Sequence, residues 1–440
     1  MSHYKPYPAY KDSGVEWIGE VPEHWKVTAI KRVSPVFRGA SPRPIDDPKY
    51  FDDEGQYGWV RISDVSASDG YLYQTEQKLS DLGSSLSVKL PIDSLFLSIA
   101  GSVGKPCISK IDACIHDGFV YFPFLKIDPM WLFRVFETKR PFVGLGKLGT
   151  QLNLNTETVG GIYIGLPPPA ETESILAAIT MQTTRIDALI AKKTRFIELL
   201  KEKRQALITH AVTKGLDSNV KMKDSGVEWI GEVPEHWDTI KIARLGPLTK
   251  ANGGSKQDNI DSGVPCIRYG DLYTTHEYFI RGSRSYIGPD KLGEYTPIRY
   301  GDALFAASGE TFEDIGRSAV NLLREEACSG GDVIVLRPTT NLDPLFLGYA
   351  LDSMSSKAQK ALMGKGYTVV HIYADQLRAL IVALPPATEQ EAIGTALNRA
   401  ASRIDVLIAK TQRSIDLLKE RRSAFITAAV TGQIDLRGAS

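Results

Sequence analysis

A stretch of 15 residues, Lys11 to Trp25 (KDSGVEWIGEVPEHW), recurs without a single change at Lys223 to Trp237, an offset of 212. Coincidence does not produce identity over that length, and self-similarity at a fixed spacing means that one arrangement has been built twice. A second repeat pairs Arg185 to Asp217 with Arg403 to Asp435, at an offset of 218 and with 21 of 33 positions matched. The same offset aligns Leu166-Pro167-Pro168 with Leu384-Pro385-Pro386. Between these shared pieces, residues 26–165 and 238–383 have diverged. Faint echoes survive there: WVRISDV (Trp59 to Val65) resembles CIRYGDL (Cys266 to Leu272), and IDSLFLS (Ile92 to Ser98) resembles YGDALFAA (Tyr300 to Ala307). The 440 residues therefore form two half-molecules of about 220, each a short shared segment, a divergent domain and a shared helix.

The shared helical parts carry a seven-residue apolar recurrence. In the first, Ile179, Ile186, Lys193, Leu200 and Leu207 mark one seam position, and Gln182, Leu189, Phe196, Lys203 and His210 the other, with Ile190 and Ile197 widening the stripe. The second keeps the register through Leu397, Ile404, Thr411, Leu418 and Phe425, flanked by Leu407, Ile408, Ile415 and Ala428. This pattern predicts two helices of some 40 residues, about 60 Å each, that pack on one another. The charged runs KEKR (Lys201 to Arg204) and KERR (Lys419 to Arg422) read as solvated helix faces. The divergent stretches alternate short β-rich runs with Gly, Pro, Asp and Ser, each stretch containing one helical patch, which predicts mixed α/β domains. The expected division is 1–25 (repeated segment), 26–165 (first domain), 166–217 (first long helix), 218–237 (second repeated segment), 238–383 (second domain) and 384–440 (second long helix and tail).

Composition narrows the function. No basic region followed by an apolar stretch opens the chain, and no apolar run approaches the roughly 20 residues that span a bilayer, so a cytoplasmic location is expected. Cys107, Cys114, Cys266 and Cys328 contain no C-x-x-C pair and read as reduced thiols. Catalytic signatures are sparse. GLGKLG (Gly144 to Gly149) matches a dinucleotide-binding pattern, but an extended TQLNLN follows where a helix would have to begin, so it reads as a tight turn. There is no phosphate-loop motif, no Asn- or Asp-Pro-Pro-aromatic turn of an adenine or cytosine methyltransferase, and no Pro-Asp pair ahead of the acidic-x-Lys triplets at Asp47 and Glu76. His24, His116 and His236 have no second histidine at metal-ligand spacing and read as packing or hydrogen-bonding residues. Nothing demands a metal or a cofactor.

What remains is binding. A doubled scaffold with two unlike modules holds two recognition surfaces at a fixed separation, which is how two-fold proteins read paired half-sites. The segment DSGVEWIGEVPEHW, the LPP-x-x-E lead-in at Leu166 to Glu171 and Leu384 to Glu389, and the RID-x-LIAK…LLKE-x-R-x-A-x-IT-x-AVT helices resemble the specificity subunit of type I restriction-modification systems, over essentially the whole chain. That resemblance implies two target recognition domains separated by two long helices in an antiparallel coiled coil, closed into a circular, pseudo-two-fold arrangement by the N-terminal segment. It implies that each domain reads half of a bipartite, asymmetric site in double-stranded DNA, with the helices as spacer. Two methyltransferase subunits and the restriction subunits are the implied partners, and S-adenosylmethionine, ATP and magnesium are implied for them, while this chain catalyses nothing. The alternative is a non-enzymatic two-module scaffold that binds protein or another polymer.

Identical partners require identical docking surfaces, which points to Trp17, Ile18, Val21 and Trp25 and their copies Trp229, Ile230, Val233 and Trp237 as a partner-docking cluster, or as one packed within the chain. Arginine bonds guanine bidentately, and both arginine and lysine neutralise phosphates. Basic residues in Gly-, Ser- or Pro-rich loops are therefore the candidate DNA contacts: Arg38, Arg43, Arg61, Lys105 and Lys147 in the first domain, and Lys250, Lys256, Arg268, Arg281, Arg284, Arg317 and Lys365 in the second. Residues 1–220 hold 26 basic and 25 acidic residues, leaving 26 and 27 for the second half, so any positive field must be gathered on one face of each domain.

Overall fold

The structure, a computed structural model, describes residues 4–145, 154–254, 256–366 and 368–438. The chain forms two compact units, one of Met1–Lys192 with Ser414–Ser440, the other of Lys193–Arg413. Each is therefore built around the start of one long helix and the end of the other.

In the first unit, a five-stranded sheet runs in the order Phe37–Arg38, Phe119–Tyr121, Leu95–Ser98, Pro106–Ser109, Tyr71–Leu72, with only the last pair parallel. Beside it lies a four-stranded sheet, Gln77–Leu79, Tyr57–Val60, Ala113–Ile115, Val88–Leu90, whose central pair is parallel. Every residue of Leu95–Ser98 and Pro106–Ser109 is buried, which is why these strands read as continuous apolar runs without alternation. The helix Pro129–Glu137 covers the sheet with Trp131, Leu132, Phe133, Val135 and Phe136; Asp128 caps its start by accepting from the Met130 amide, with Pro129 at the first helical position.

The second unit repeats this wiring. Its sheets run Leu248–Lys250, Val333–Leu336, Ala303–Ala306, Ser318–Asn321, Tyr278–Ile280 and, with one added edge strand, Asn259–Ile260, Tyr286–Ile287, Val264–Ile267, Ala327–Ser329, Thr296–Ile298. The parallel pairs fall at matching places. The faint echoes in sequence are thus the central strands of one topology, whose outer positions have diverged.

In both units the strand that enters the domain pairs antiparallel with the strand that leaves it: Lys26–Ala29 with Tyr163–Leu166, and Asp238–Lys241 with Ile381–Leu384. The exit strand then turns through the Leu-Pro-Pro run into a long helix, Pro169–Lys214 or Ala387–Val430. Their 46 and 44 residues exceed the expected 40 by about a turn. Each stops at a glycine with positive φ, Gly215 (+80°) and Gly432 (+73°), the conformation that terminates a helix.

Inside the first unit, Ile175, Leu176, Ala178 and Ile179 share a core with Phe425, Ile426, Ala428, Ala429 and Val430. Further along, Asp187 meets Arg422, so the two helix segments are antiparallel. The second unit has the mirror arrangement, Ile208, Ala211 and Val212 with Ile393, Leu397 and Ala401, and Arg204 with Asp405. The buried seam is narrower than the periodicity predicts. Ile186, Ile197, Leu200, Ile404 and Ile415 are buried, whereas Leu189, Phe196, Leu207 and Leu407 are exposed. Heptad counting finds the whole apolar face of a helix, and only part of it is used against the second helix.

Candidate nucleic-acid interface and its scaffold

The identical segments and the LPP-x-x-E motifs turn out to be two sides of one latch. In the first unit Glu171, on the opening turn of its helix, accepts from Trp25 Nε1 at 2.8 Å and Tyr7 Oη at 2.6 Å, and pairs with His24 Nε2 at 2.7 Å. In the second, Glu389 takes Trp237 Nε1 at 2.8 Å and His236 Nε2 at 2.7 Å. The benzene ring of each tryptophan meets the end of the other long helix, at Gly432 for Trp25 and at Gly215 for Trp237. One Trp thus ties a helix start to a helix end. The latches differ in one respect: where Tyr7 fills the first, the second leaves a cavity of about 290 Å³ beside His236 and Glu389.

Burial alone would raise the Glu171 pKa, but the hydrogen bonds from Tyr7, Trp25 and His24 outweigh it and hold the carboxyl below its ordinary value. The sign follows: a depressed folded pKa contributes stability above the unfolded value near 4.5, and that contribution disappears as the pH falls through the folded value. Unfolding measured from pH 6 downwards, roughly across the glutamate range, is expected to show wild type losing stability more steeply than Glu171→Gln.

Of the candidate DNA contacts, the first domain brings three together. Arg43 Nη2 pairs with Asp117 Oδ2 at 3.0 Å, Arg38 Nε donates to the Asp117 carbonyl oxygen, and Ser41 Oγ donates to Asp117 Oδ1 at 3.0 Å. Arg38 and Arg43 are exposed, and Arg61 adds its charge beside His116. Burial pushes the His116 pKa down, with the charges of Arg61 and Arg38 acting the same way and Asp117 pulling against them. Burial opposes ionisation of Asp117 as well, yet Ser41, Arg43, Arg38 and His116 together lower its pKa. Lys105 stands apart, its Nζ donating to the Ser66 and Ser68 carbonyls at 3.0 and 2.7 Å, at the end of the helix Ile62–Ala67. Lys147 lies outside the described residues.

The second domain places Arg268 where the first has Arg61. Both backbone amides donate to an aspartate three residues on, Asp271 at 2.9 Å and Asp64 at 2.8 Å. Arg268 Nη2 reaches Asn259 Oδ1 at 2.6 Å, on the added edge strand. Strand register puts Gly330 and Gly331 at the positions of His116 and Asp117. Gly253 packs so closely on Gly330 that a Cβ there would come within 2.6 Å of its Cα, which explains the glycine-rich turn between the exposed Lys250 and Lys256. Arg317 holds the place of Lys105, since its carbonyl accepts from Ala306 as that of Lys105 does from Ser98. Its Nε is buried with no hydrogen-bond partner among the described residues. Arg284 and Lys365 are exposed, the latter paired through its backbone with His371. Arg281 is set away from Arg268: it bonds Asn398 of the second long helix at 3.1 Å and stacks over Phe279.

The docking cluster needs correction. Trp25, Val21, Trp237 and Val233 are fully buried and Ile18 and Ile230 nearly so, because they form the latches and cores of their own units. Trp17 is half-buried and Trp229 exposed, so only these two of the tryptophans present surface. The charged helix runs need correction too: Arg204 and Arg422 are turned inward to carboxylates and do not belong to a solvated face. The signal was available, since Arg204 with Asp187 and Arg422 with Asp405 repeat at the offset of 218. Among the described residues no group of His, Cys, Asp or Glu is placed to hold a metal ion, and no helix is long and apolar enough to cross a membrane.

The two units thus combine α/β domains of one topology with unlike basic loops, each mounted on latched antiparallel helix segments. The chain matches the type I restriction modification DNA specificity domain over residues 234–415. It is similar to the MjaX and MjaVIII type I restriction enzyme specificity subunits, so named, of Methanocaldococcus jannaschii. Identities are 23% and 21%, over 96% of this chain and 96% of the first relative, and 95% and 94% for the second. Its fold is that of a chain solved in work on complex assembly and conformational transition of the type I system, with a TM-score of 0.71 at 15% identity, covering 93% of this chain and 98% of that one.

Proposed function

We propose that this chain is the non-catalytic subunit that gives a type I restriction-modification complex its DNA sequence specificity. Each recognition domain reads one half of a bipartite, asymmetric site, the helix pair sets the spacer, and two methyltransferase subunits dock on the repeated parts. S-adenosylmethionine, ATP and magnesium belong to the methyltransferase and restriction subunits, and the complex works in the cytoplasm. The observation that carries this is the contrast between the two units: the latches share the same Trp, His and Glu, while the loops at one topological position hold His116 and Asp117 in one domain and Gly330 and Gly331 in the other. Equal partners need equal surfaces, and unequal half-sites need unequal ones. The exposed leucines support docking on the helices, since Leu189 and Leu199 of the first recur as Leu407 and Leu417 of the second.

Sequencing the methylated adenines in a host that carries the complete system gives both half-sites and the spacer at once, and a contiguous or palindromic motif would sink the proposal. Arg61→Ala and Arg268→Ala are expected to relax recognition in different half-sites, each costing about 1–3 kcal/mol of discrimination at the base pair it reads. Competition methylation against single-base variants of the site measures this.

A further inference from the structure

The inward-turned arginines carry a second level of organisation. Arg422 of the second long helix pairs through Nε with Asp187 of the first at 2.9 Å, and through Nη1 with Glu137 of the first recognition domain at 2.7 Å. In the other unit, Arg204 of the first long helix pairs through Nη1 with Asp405 of the second at 2.8 Å, and through Nη2 with Glu277 of the second recognition domain at 2.5 Å. The Arg and Asp are copies at the offset of 218, so they belong to the shared scaffold.

The third partners are not copies. Glu137 ends the helix Pro129–Glu137, whereas Glu277 immediately precedes the strand Tyr278–Ile280. Two domains that have diverged almost everywhere else supply a carboxylate to the same guanidinium from different elements. Packing alone does not require this, since each domain already rests on its helices through apolar cores. A guanidinium has a rigid fork, so two carboxylates bound to one fork fix an angle as well as a contact. The side chains of Arg204 and Arg422 are only 15% and 26% exposed, which limits screening by solvent.

We propose that Arg204 and Arg422 are positioning residues of a carboxylate socket, through which each recognition domain is fixed on the helix pair so that the spacer between the half-sites is read strictly. This rests on the function proposed above. Any domain exchanged onto the scaffold would need an acidic residue at the socket.

The test uses the chain assembled with its methyltransferase subunits and duplexes that carry both half-sites at the native spacing or one base pair shorter or longer. Arg204→Ala and Arg422→Ala are each expected to lower the preference for the native spacer by about fivefold, with base preferences in both half-sites unchanged. Glu277→Gln and Glu137→Gln keep the shape of the partner and are expected to reproduce the loss, and Glu277→Asp to restore most of it. Unchanged spacer preference in the two Gln variants, or a changed base preference, overturns the socket. A readout without DNA keeps it separate from the function: amide exchange at Glu277–Ile280 is expected to quicken in Arg204→Ala, and unaltered exchange there would refute the socket. A wild-type complex that methylates no bipartite site would refute the proposed function alone.

Discussion

Replacing Trp25 by alanine is expected to destabilise the first unit by about 3–5 kcal/mol, the cost of emptying a fully buried tryptophan site. Trp25 has no exposed surface and packs edge-on against Trp131 and Tyr7, so the space it leaves is walled by rigid aromatic rings and cannot collapse. Glu171 would also lose a buried donor while keeping its charge. The end of the second helix, which meets the benzene ring of the indole at Gly432, would lose its seat. Urea unfolding of wild type and variant measures the loss. Trp237→Ala removes the same side chain from a latch that already borders a cavity of about 290 Å³ and has no Tyr7. It is expected to cost less, and an equal cost would show that the aromatic walls of the first latch contribute nothing.

Asp352→Ala is expected to have a comparable effect in the second unit, for an electrostatic reason. Lys360 is wholly buried, and burial pushes its pKa down against the opposing attraction of Asp352. Its Nζ donates to Gly316 O at 2.7 Å, Leu351 O at 3.0 Å and Asp352 Oδ1 at 3.2 Å, tying the turn before Ser318–Asn321 to the end of the helix Pro344–Leu351. Removing the carboxylate strands an ammonium among carbonyls, and breaking one side of such a pair costs about 3–5 kcal/mol. The double variant Asp352→Ala with Lys360→Met removes both charges and is expected to recover a large part of that loss. If thermal unfolding shows the double variant no more stable than the single one, the penalty lies in lost hydrogen bonds and not in the uncompensated charge.

The scaffold was legible in the sequence because its contacts are made by repeated residues. Trp25 and Trp237, Glu171 and Glu389, and the Leu-Pro-Pro turns are visible as copies, although pairing each Trp with its Glu requires the fold. Strand order was not legible, because the parallel pairs join segments such as Tyr57–Val60 and Ala113–Ile115, whose apolar runs are alike and whose partners are set by distant sterics. The basic loops were legible as loops but not as sites. Arg38 and Arg43 converge only because Asp117 arrives on a turn between two strands far along the chain, and Arg281 looks the same in sequence while its side chain is committed to Asn398. Arg204 and Arg422 were read by composition as surface charge, and composition carries no information on which way a guanidinium points.

The pairing of entry and exit strands at the foot of each recognition domain has a consequence for what can change without harm. Because Lys26–Ala29 lies against Tyr163–Leu166, and Asp238–Lys241 against Ile381–Leu384, the chain returns to its point of departure before the long helix begins. Whatever lies between is a detour whose length is invisible to the helix. The detours already differ, at 140 and 146 residues, while the copied helices keep their register. Closing a longer detour costs only about 0.6 kcal/mol per doubling. Insertions that remodel a reading surface are therefore cheap, whereas a single residue inserted within Pro169–Lys214 or Ala387–Val430 would rotate every helix contact beyond it by about 100°.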